Sequence, residues 1–198
     1  MTLITRILPR KTPSLLSTLR AHFHSATPNM TLNLESSIVA ANEGYVSKFS
    51  ASDENLLLPP VKEVAVVTCM DTNIMPASAL GFKLGDAHLI RNGGGSAREA
   101  LRSLVVSQQL FGTKAILIIK HTDCGMTTFD NPTLHGTIKK NLGVDADGED
   151  FGAIENIEQA VRDDVEFLKT HKLIPEVVRG NTTGWIYDPK TGKLTKVV

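Results

Sequence analysis

Two apolar runs that end in metal-binding side chains constrain this chain more than any other feature. Residues 115–119 are five consecutive apolar residues, and Lys120 separates them from the turn His-Thr-Asp-Cys-Gly at residues 121–125. Residues 64–68 have the same β-branched character and lead into Cys-Met-Asp at residues 69–71. Such runs predict strands that are buried on both faces, as in parallel sheets. Because ligand sites in open α/β sheets lie at the carboxyl ends of strands, we expect the two turns to meet there.

The chain between these two runs predicts one further strand and one helix. The strand is expected over residues 87–90. Ser96 is expected to cap a helix, with Glu99 three residues later completing a capping box. The helix should run to about Phe111 and stop at Gly112. The order β, β, α, β predicts the α/β class, with a mostly parallel central β-sheet flanked by helices.

The remaining segments predict helices and strands around this sheet. Apolar residues at helical spacing favour a helix over residues 34–49, ahead of the first strand, and another over about residues 154–169. Pro76 is suited to the first position of a short helix. The polar chain after Met126, through residue 150, is expected to be a solvated loop. The tail over residues 184–198 predicts two short strands around a turn.

Length and charge set the class of protein. A chain of 198 residues that is 41% hydrophobic can bury one substantial core, so we expect a single domain over residues 30–198. The 21 basic and 21 acidic residues balance, which gives no reason to expect nucleic acid or an acidic membrane as a partner. No apolar run approaches the roughly 18 residues that span a bilayer, so we expect no membrane segment.

Residues 1–29 differ in composition from the rest of the chain. They are rich in serine and threonine, and no acidic residue occurs before Glu35. Their basic residues are Arg6, Arg10, Lys11 and Arg20. This composition is typical of a mitochondrial transit peptide, which predicts a location in the mitochondrial matrix. The alternative is a disordered basic arm that binds a partner. Met30 would serve as an internal start for a cytosolic form.

Two thiols and one imidazole form the candidate metal site. Cys69, His121 and Cys124 would supply the donor set that suits tetrahedral zinc, and these are the only cysteines in the chain. Three protein ligands leave a fourth position for water, which is the catalytic pattern. Asp71 is close enough in sequence to be a fourth ligand or to hydrogen-bond that water. The alternatives are a closed structural zinc and a disulfide between the two cysteines.

Three motifs together resemble the β-class carbonic anhydrases, and the chain is most similar to the short branch of that family. They are Cys-x-Asp at residues 69–71, Arg-Asn-x-Gly-Gly at residues 91–95 and His-Thr-Asp-Cys-Gly at residues 121–125. The resemblance covers about residues 60–198. It implies a zinc held by Cys69, His121 and Cys124, a homodimer or homotetramer built on a mostly parallel sheet, and the reversible hydration of CO2 to bicarbonate.

The implied reaction fits these ligands. Zinc lowers the pKa of a bound water to about 7, and the hydroxide so formed attacks CO2. Asp71 is the expected catalytic carboxylate beside this nucleophile. The proton that is released in each turnover needs an acceptor, and His88 or His135 could relay it, although such a histidine is more often an ordinary surface or packed residue.

The glycines that follow the second strand have two readings. Backbone N–H groups between a strand and a capped helix can approach an anion, so Gly93 and Gly94 are candidate bicarbonate contacts as well as scaffold. The rival reading is a dinucleotide-binding loop. It fails because Arg98 occupies the position of the last glycine, and no phosphate-binding G-x-x-x-x-G-K-[ST] loop occurs.

One position departs from the family pattern and weakens the inference of full activity. The family places an arginine two residues after the aspartate, where it holds the carboxylate off the metal; Asn73 stands there in this chain. Asparagine lacks both the charge and the bidentate fork of guanidinium. We therefore expect Asp71 to bind zinc more readily and activity to be low, unless Arg91 or Arg98 compensates. A non-catalytic relative with a closed structural zinc is one alternative, and a hydrolase of carbon disulfide is another.

Overall fold

The protein was analysed as a computed structural model that describes residues 28–50 and 56–198. The chain divides into two compact units between Glu54 and Asn55. In the first unit, helix α1 covers Pro28–Val46. It begins six residues earlier than the predicted helix, and its last residue lies three residues before the predicted end. Residues 1–27, which make up most of the predicted transit peptide, lie outside the described part of the chain. The exposed apolar side chains of α1 include those of Leu34, Ile38, Val39, Tyr45 and Val46.

The second unit contains one five-stranded sheet with helices packed against it. Its strands are β1 (Val64–Cys69), β2 (Ala87–Asn92), β3 (Ala115–His121), β4 (Thr182–Asp188) and β5 (Lys193–Lys196), and its helices are α2 (Pro76–Ala79), α3 (Ala97–Phe111), α4 (Asn131–Leu142), α5 (Ile157–Thr170) and α6 (Glu176–Gly180). The strand order is β2-β1-β3-β4-β5, with parallel pairing throughout except between β4 and β5. The predicted fold class is confirmed. No helix within residues 28–50 or 56–198 is long and apolar enough to cross a membrane.

The apolar runs form the centre of the core, as predicted. Every residue of β1 is buried, because the strand lies between two others and both of its faces are covered. The core cluster joins the sheet to α3 and α5; among its members are Ala65, Val67, Ile116 and Ile118 from the sheet, and Ala100, Leu104, Val165 and Leu168 from the helices. Each large side chain buried here contributes roughly 1.5–3 kcal/mol. The strands that carry the candidate ligands are therefore rigidly placed.

Helix α3 has the predicted boundaries but only half of the predicted capping box. The Ser96 hydroxyl accepts a hydrogen bond from the Glu99 N–H at 3.3 Å. The Ser96 N–H donates instead to Asn92 Oδ1 at 2.6 Å. The side-chain Nδ2 of Asn92 in turn donates to the Ser96 carbonyl. Asn92 is the last residue of β2, and its side chain accepts the Ser96 N–H hydrogen bond that the Glu99 side chain would accept in a capping box. Gly112 ends the helix in the left-handed conformation at φ 70°.

The prediction of a loop from residue 127 to residue 150 is wrong over α4. This helix has no buried residue, so the sequence shows no apolar face by which to recognise it. Its ends carry the signal instead. The Asp130 side chain accepts from the Thr133 N–H, Pro132 lies in the first turn, and Gly143 closes the helix at φ 70°. Helix α5 was predicted to begin at residue 154. It begins three residues later, at Ile157, because the Asn156 side chain caps it.

Helix α5 packs closely on the sheet at Gly184 of β4, where no side chain separates the two elements. A Cβ at this position would lie 2.4 Å from Val161 Cγ1 and 3.0 Å from Val165 Cγ2. We therefore expect Gly184→Ala to lower the free energy of unfolding by about 1–3 kcal/mol, measured by urea denaturation. The control is Gly136→Ala in the middle of α4, where a Cβ meets nothing within 4 Å and alanine should add about 0.5–1 kcal/mol. Equal effects of the two variants would contradict the packing described.

Candidate metal and active site

The two motif turns meet at the carboxyl edge of the sheet, as predicted. Cys69 is the last residue of β1 and His121 is the last residue of β3, the strand that pairs with β1 in parallel. Cys124 follows three residues later, after a chain reversal in which Asp123 adopts a positive φ of 56°. The sulfurs and an imidazole nitrogen of these residues all lie within 4.8 Å of one another.

The cluster is buried and its thiols are free. Cys69 is 5% exposed, His121 1% and Cys124 2%. The two sulfurs are 3.9 Å apart and form no disulfide. Two sulfurs and one nitrogen are the donors expected of a zinc site rather than of a calcium or magnesium site, which would present oxygen atoms.

The hydrogen bonding of His121 leaves one ring nitrogen available to a metal. Nδ1 lies 2.9 Å from the Thr122 carbonyl oxygen, which can only accept, so this geometry assigns the proton to Nδ1. Nε2 is buried and has no hydrogen-bond partner among the residues that the structure describes. A buried, unpartnered nitrogen is costly in a folded protein. A metal ion at Nε2 would satisfy this nitrogen, and the Thr122 carbonyl would hold the ring in place, as in other metal-binding histidines.

The two thiols share one proton through the hydrogen bond that joins them. This hydrogen bond lowers the pKa of Cys69, and the adjacent His121 and the main chain of Asp71 and Gly94 act in the same direction. The same thiol–thiol hydrogen bond, with burial, raises the pKa of Cys124. Burial acts to lower the pKa of His121, but the adjacent thiolate of Cys69 outweighs it and raises the pKa overall.

Arg91 holds the main chain of the Cys-x-Asp turn. Its Nε donates to the Cys69 carbonyl at 3.0 Å, and a terminal nitrogen of the same guanidinium donates to the Asp71 carbonyl. The sequence suggested Arg91 as a substitute partner for the carboxylate of Asp71. In the structure its guanidinium hydrogen-bonds to main-chain oxygens, a role that residue type and spacing alone did not reveal.

The Asp71 carboxylate is held by a local turn. Its Oδ1 accepts from the Asn73 N–H at 2.8 Å, an arrangement that aspartate commonly makes with the residue two positions later. Asn73 therefore contributes its main chain rather than its amide. The carboxylate is not part of the three-residue cluster of Cys69, His121 and Cys124. Its role as a fourth zinc ligand stays a prediction.

The glycine turn after β2 packs against the first ligand. Gly94 and Gly95 have φ values of 68° and 64°, which favour glycine. A Cβ on Gly95 would lie 3.0 Å from the carbonyl carbon of Thr68 and 3.1 Å from the nitrogen of Cys69. The main chain of Gly94 acts to lower the pKa of the Cys69 thiol. The turn is scaffold for the thiolate, and substrate contact by Gly93 and Gly94 stays a prediction.

The β4–β5 hairpin supports the loop that carries His121 and Cys124. The Thr122 N–H donates to the Tyr187 carbonyl at 3.0 Å, and Lys190 in the hairpin turn forms an ion pair with Asp123. The sequence predicted the hairpin but not these contacts. The family resemblance extends over about residues 60–198 and so includes this hairpin, which is the one sequence signal that links it to the site.

The two histidines considered as proton relays are held elsewhere. His88 pairs with Ala65 near the start of β2, about 13 Å along the strand from Asn92, the partner of Cys69. Its Nδ1 contacts the Ser107 hydroxyl at 2.7 Å. The His135 Nε2 lies 2.7 Å from the Glu149 carbonyl and so fastens the acidic loop to α4. Both contacts support structural roles.

The shared proton predicts how many protons a metal displaces. Metal binding must remove the proton of Cys124, whose raised pKa keeps it protonated, whereas the Cys69 thiolate has none to lose. His121, with its raised pKa, adds a second proton only at lower pH. At pH 6, below the pKa of a zinc-bound water, we therefore expect about two protons to be released per zinc ion. Two ordinary thiols with pKa values near 8.5 would release about one proton more. Calorimetry in buffers of different ionisation enthalpy measures the number; release of about three protons at pH 6 would contradict the shared proton.

Comparison with known proteins places this site in a family. The sequence model of the family described as carbonic anhydrase matches residues 64–194. β-Carbonic anhydrase 1 of Mycobacterium tuberculosis is 35% identical over 161 residues, which are 80% of this chain and 94% of that protein. Carbon disulfide hydrolase of Acidithiobacillus thiooxidans is 32% identical over 157 residues, 69% of this chain and 78% of its own.

The fold agrees with the sequence match. The crystal structure of the carbonic anhydrase of Streptococcus mutans superposes with a TM-score of 0.77 at 42% identity, covering 82% of this chain and 96% of that one. Sequence, fold and the cluster of two thiols and an imidazole therefore agree. This chain belongs to the β-class of the carbonic anhydrase family.

Proposed function

We propose that this chain hydrates CO2 reversibly to bicarbonate and a proton at a zinc ion held by Cys69, His121 and Cys124. Membership of the family makes the chain a carbonic anhydrase, a lyase whose substrates are CO2 and bicarbonate. The observation that carries the zinc assignment is the buried, unpartnered Nε2 of His121 beside two free thiols. Zinc at such a site supplies a hydroxide nucleophile near neutral pH, because it lowers the pKa of a water ligand to about 7.

Asp71 is the proposed catalytic carboxylate. It follows Cys69 by two residues, and the Asn73 N–H fixes one of its oxygens. Arg91 anchors the main chain of the same turn by donating to the Asp71 carbonyl. A carboxylate held in this way can accept a hydrogen bond from the reacting water and so orient it towards CO2. Gly93 and Gly94 are proposed to contact bicarbonate across the same edge of the sheet.

Asn73 is proposed to lower the activity. The two arginines that might have replaced the missing guanidinium are engaged elsewhere. Arg91 donates to the carbonyls of Cys69 and Asp71, and Arg98 stacks over the Phe167 ring at 4.4 Å. The Asp71 carboxylate is consequently restrained by one neutral N–H donor, where the family pattern has a charged fork. Asp71 is freer to bind the metal itself and close the fourth position.

Replacing Asn73 by arginine tests this proposal. We expect Asn73→Arg to raise kcat for CO2 hydration by about tenfold, since partners of metal-site groups typically change activity by 10–100-fold. The measurement is stopped-flow hydration by zinc-loaded protein across mildly alkaline pH. Thr72→Arg is the matched control, because it adds the same charge one residue away and should leave kcat near that of the parent.

The outcomes separate three functions. A fully active parent that Asn73→Arg does not improve would show that the arginine is dispensable. Silence in both proteins, with one zinc per chain, would favour a closed structural zinc and a non-catalytic binding or assembly role. Carbon disulfide is assayed in parallel because a hydrolase of that substrate is among the relatives; hydrolysis of carbon disulfide alone would overturn the assignment to CO2.

Assembly and location are proposed with their own measurements. We propose a homodimer or homotetramer in which the exposed apolar side chains of α1 contact a second copy of the chain. Sedimentation equilibrium tests it, and a monomer would refute it. We propose a mitochondrial matrix location from the basic, acid-free composition of residues 1–29. Import of a reporter fused to those residues tests it, and a cytosolic reporter would contradict it.

A further inference from the structure

Lys120 is a buried lysine directly before the histidine ligand. The residue is 4% exposed. Its ammonium lies 2.8 Å from Asp164 Oδ2 and donates to the carbonyl oxygens of Gly94 at 3.0 Å and Gly95 at 3.3 Å. These three acceptors use all three N–H groups of an ammonium. A buried charge persists only when it is neutralised and fully hydrogen-bonded, and Lys120 meets both conditions.

Asp164 extends this contact to two helices. It lies on α5, and its side chain is 13% exposed. The same Oδ2 that meets Lys120 accepts from the N–H of Ala97, the first residue of α3, at 3.2 Å. A carboxylate at the first turn of a helix is also favoured by the helix dipole. One ion pair thus joins β3, the glycine turn, α3 and α5.

The glycine turn carries this contact to the metal site. Lys120 binds the carbonyl oxygens of Gly94 and Gly95 in the turn. The absent side chain of Gly95 lets the turn press against the main chain of Thr68 and Cys69. A shift of the turn by a few tenths of an ångström would therefore displace the main chain of Cys69 and, with it, the sulfur.

We propose that the buried Lys120–Asp164 ion pair is a positioning element for the Cys69 thiolate, acting through the turn at Gly94 and Gly95. The proposal rests on the metal site described above. Neither residue touches the reacting atoms. Their effect is to hold the turn that packs against the main chain of Cys69, which keeps the geometry of the metal-binding sulfur fixed.

The variants separate positioning from stability. Lys120→Met alone leaves a buried carboxylate unpaired, so it is made together with Asp164→Leu; replacing both members of a buried pair by apolar residues is often neutral for stability. Lys114→Met removes a matched but exposed ion pair, with Glu63 at 2.7 Å, at the other end of β3. Leu168→Ala removes core packing one turn further along α5 and lowers stability without touching the glycine turn.

Two readouts that do not depend on activity decide the question. Each protein is loaded with zinc for transfer to a chelator, and with cobalt for the thiolate-to-metal absorption band. We expect the double variant to release zinc about 10–100 times faster than the parent and to shift the cobalt band. Lys114→Met and Leu168→Ala should match the parent in both measurements.

The outcomes also separate this proposal from the function on which it rests. A parent that binds no stoichiometric metal would overturn the metal site itself. A parent that binds metal, with unchanged release rate and spectrum in the double variant, would overturn the positioning role alone. Changes that Leu168→Ala reproduces at equal loss of stability would overturn it as well, because they would reflect weaker folding rather than a displaced turn.

Discussion

The structure depends on one electrostatic constraint: two sulfurs and an imidazole nitrogen share a space from which water is largely excluded. The two sulfurs share one proton through their hydrogen bond, and the buried Nε2 of His121 has no hydrogen-bond partner in the part of the chain that the structure describes. The apolar strands β1 and β3 supply the rigidity needed to hold these groups together, because neither end can relax without disturbing the core. The burial of apolar side chains in the core thus offsets the cost of holding two sulfurs and an imidazole nitrogen close together, where a metal ion would bind them.

Three groups of contacts support the chain segments that carry the ligands. Arg91 fixes the main chain on the β1 side, and the β4–β5 hairpin fixes the loop on the β3 side. The glycine turn lies between them, and its lack of side chains allows backbone to touch backbone. Each support uses main-chain atoms on at least one side. The ligand geometry is consequently buffered against changes in most neighbouring side chains.

The sequence predicted those parts of the fold that short-range pattern controls. Apolar runs identified β1 and β3, and the chemistry of Cys69, His121 and Cys124 identified the site, because strand ends in parallel sheets converge. Helix α4 was missed because it buries nothing and so has no apolar periodicity. The roles of Arg91, Lys120 and Asp164 were not predictable from spacing. They depend on which main-chain oxygens lie within reach after folding, and a linear pattern contains no such information.

The turn that restrains Asp71 is made by the main chain of residue 73, not by its side chain. Any residue there except proline can donate the same N–H, so the local backbone tolerates exchange between arginine and asparagine. Selection for a stable fold therefore does not distinguish arginine from asparagine in this contact, whereas selection for rapid turnover does. A lineage that no longer requires rapid interconversion of CO2 and bicarbonate could lose the arginine by neutral drift and keep every other element of the architecture intact.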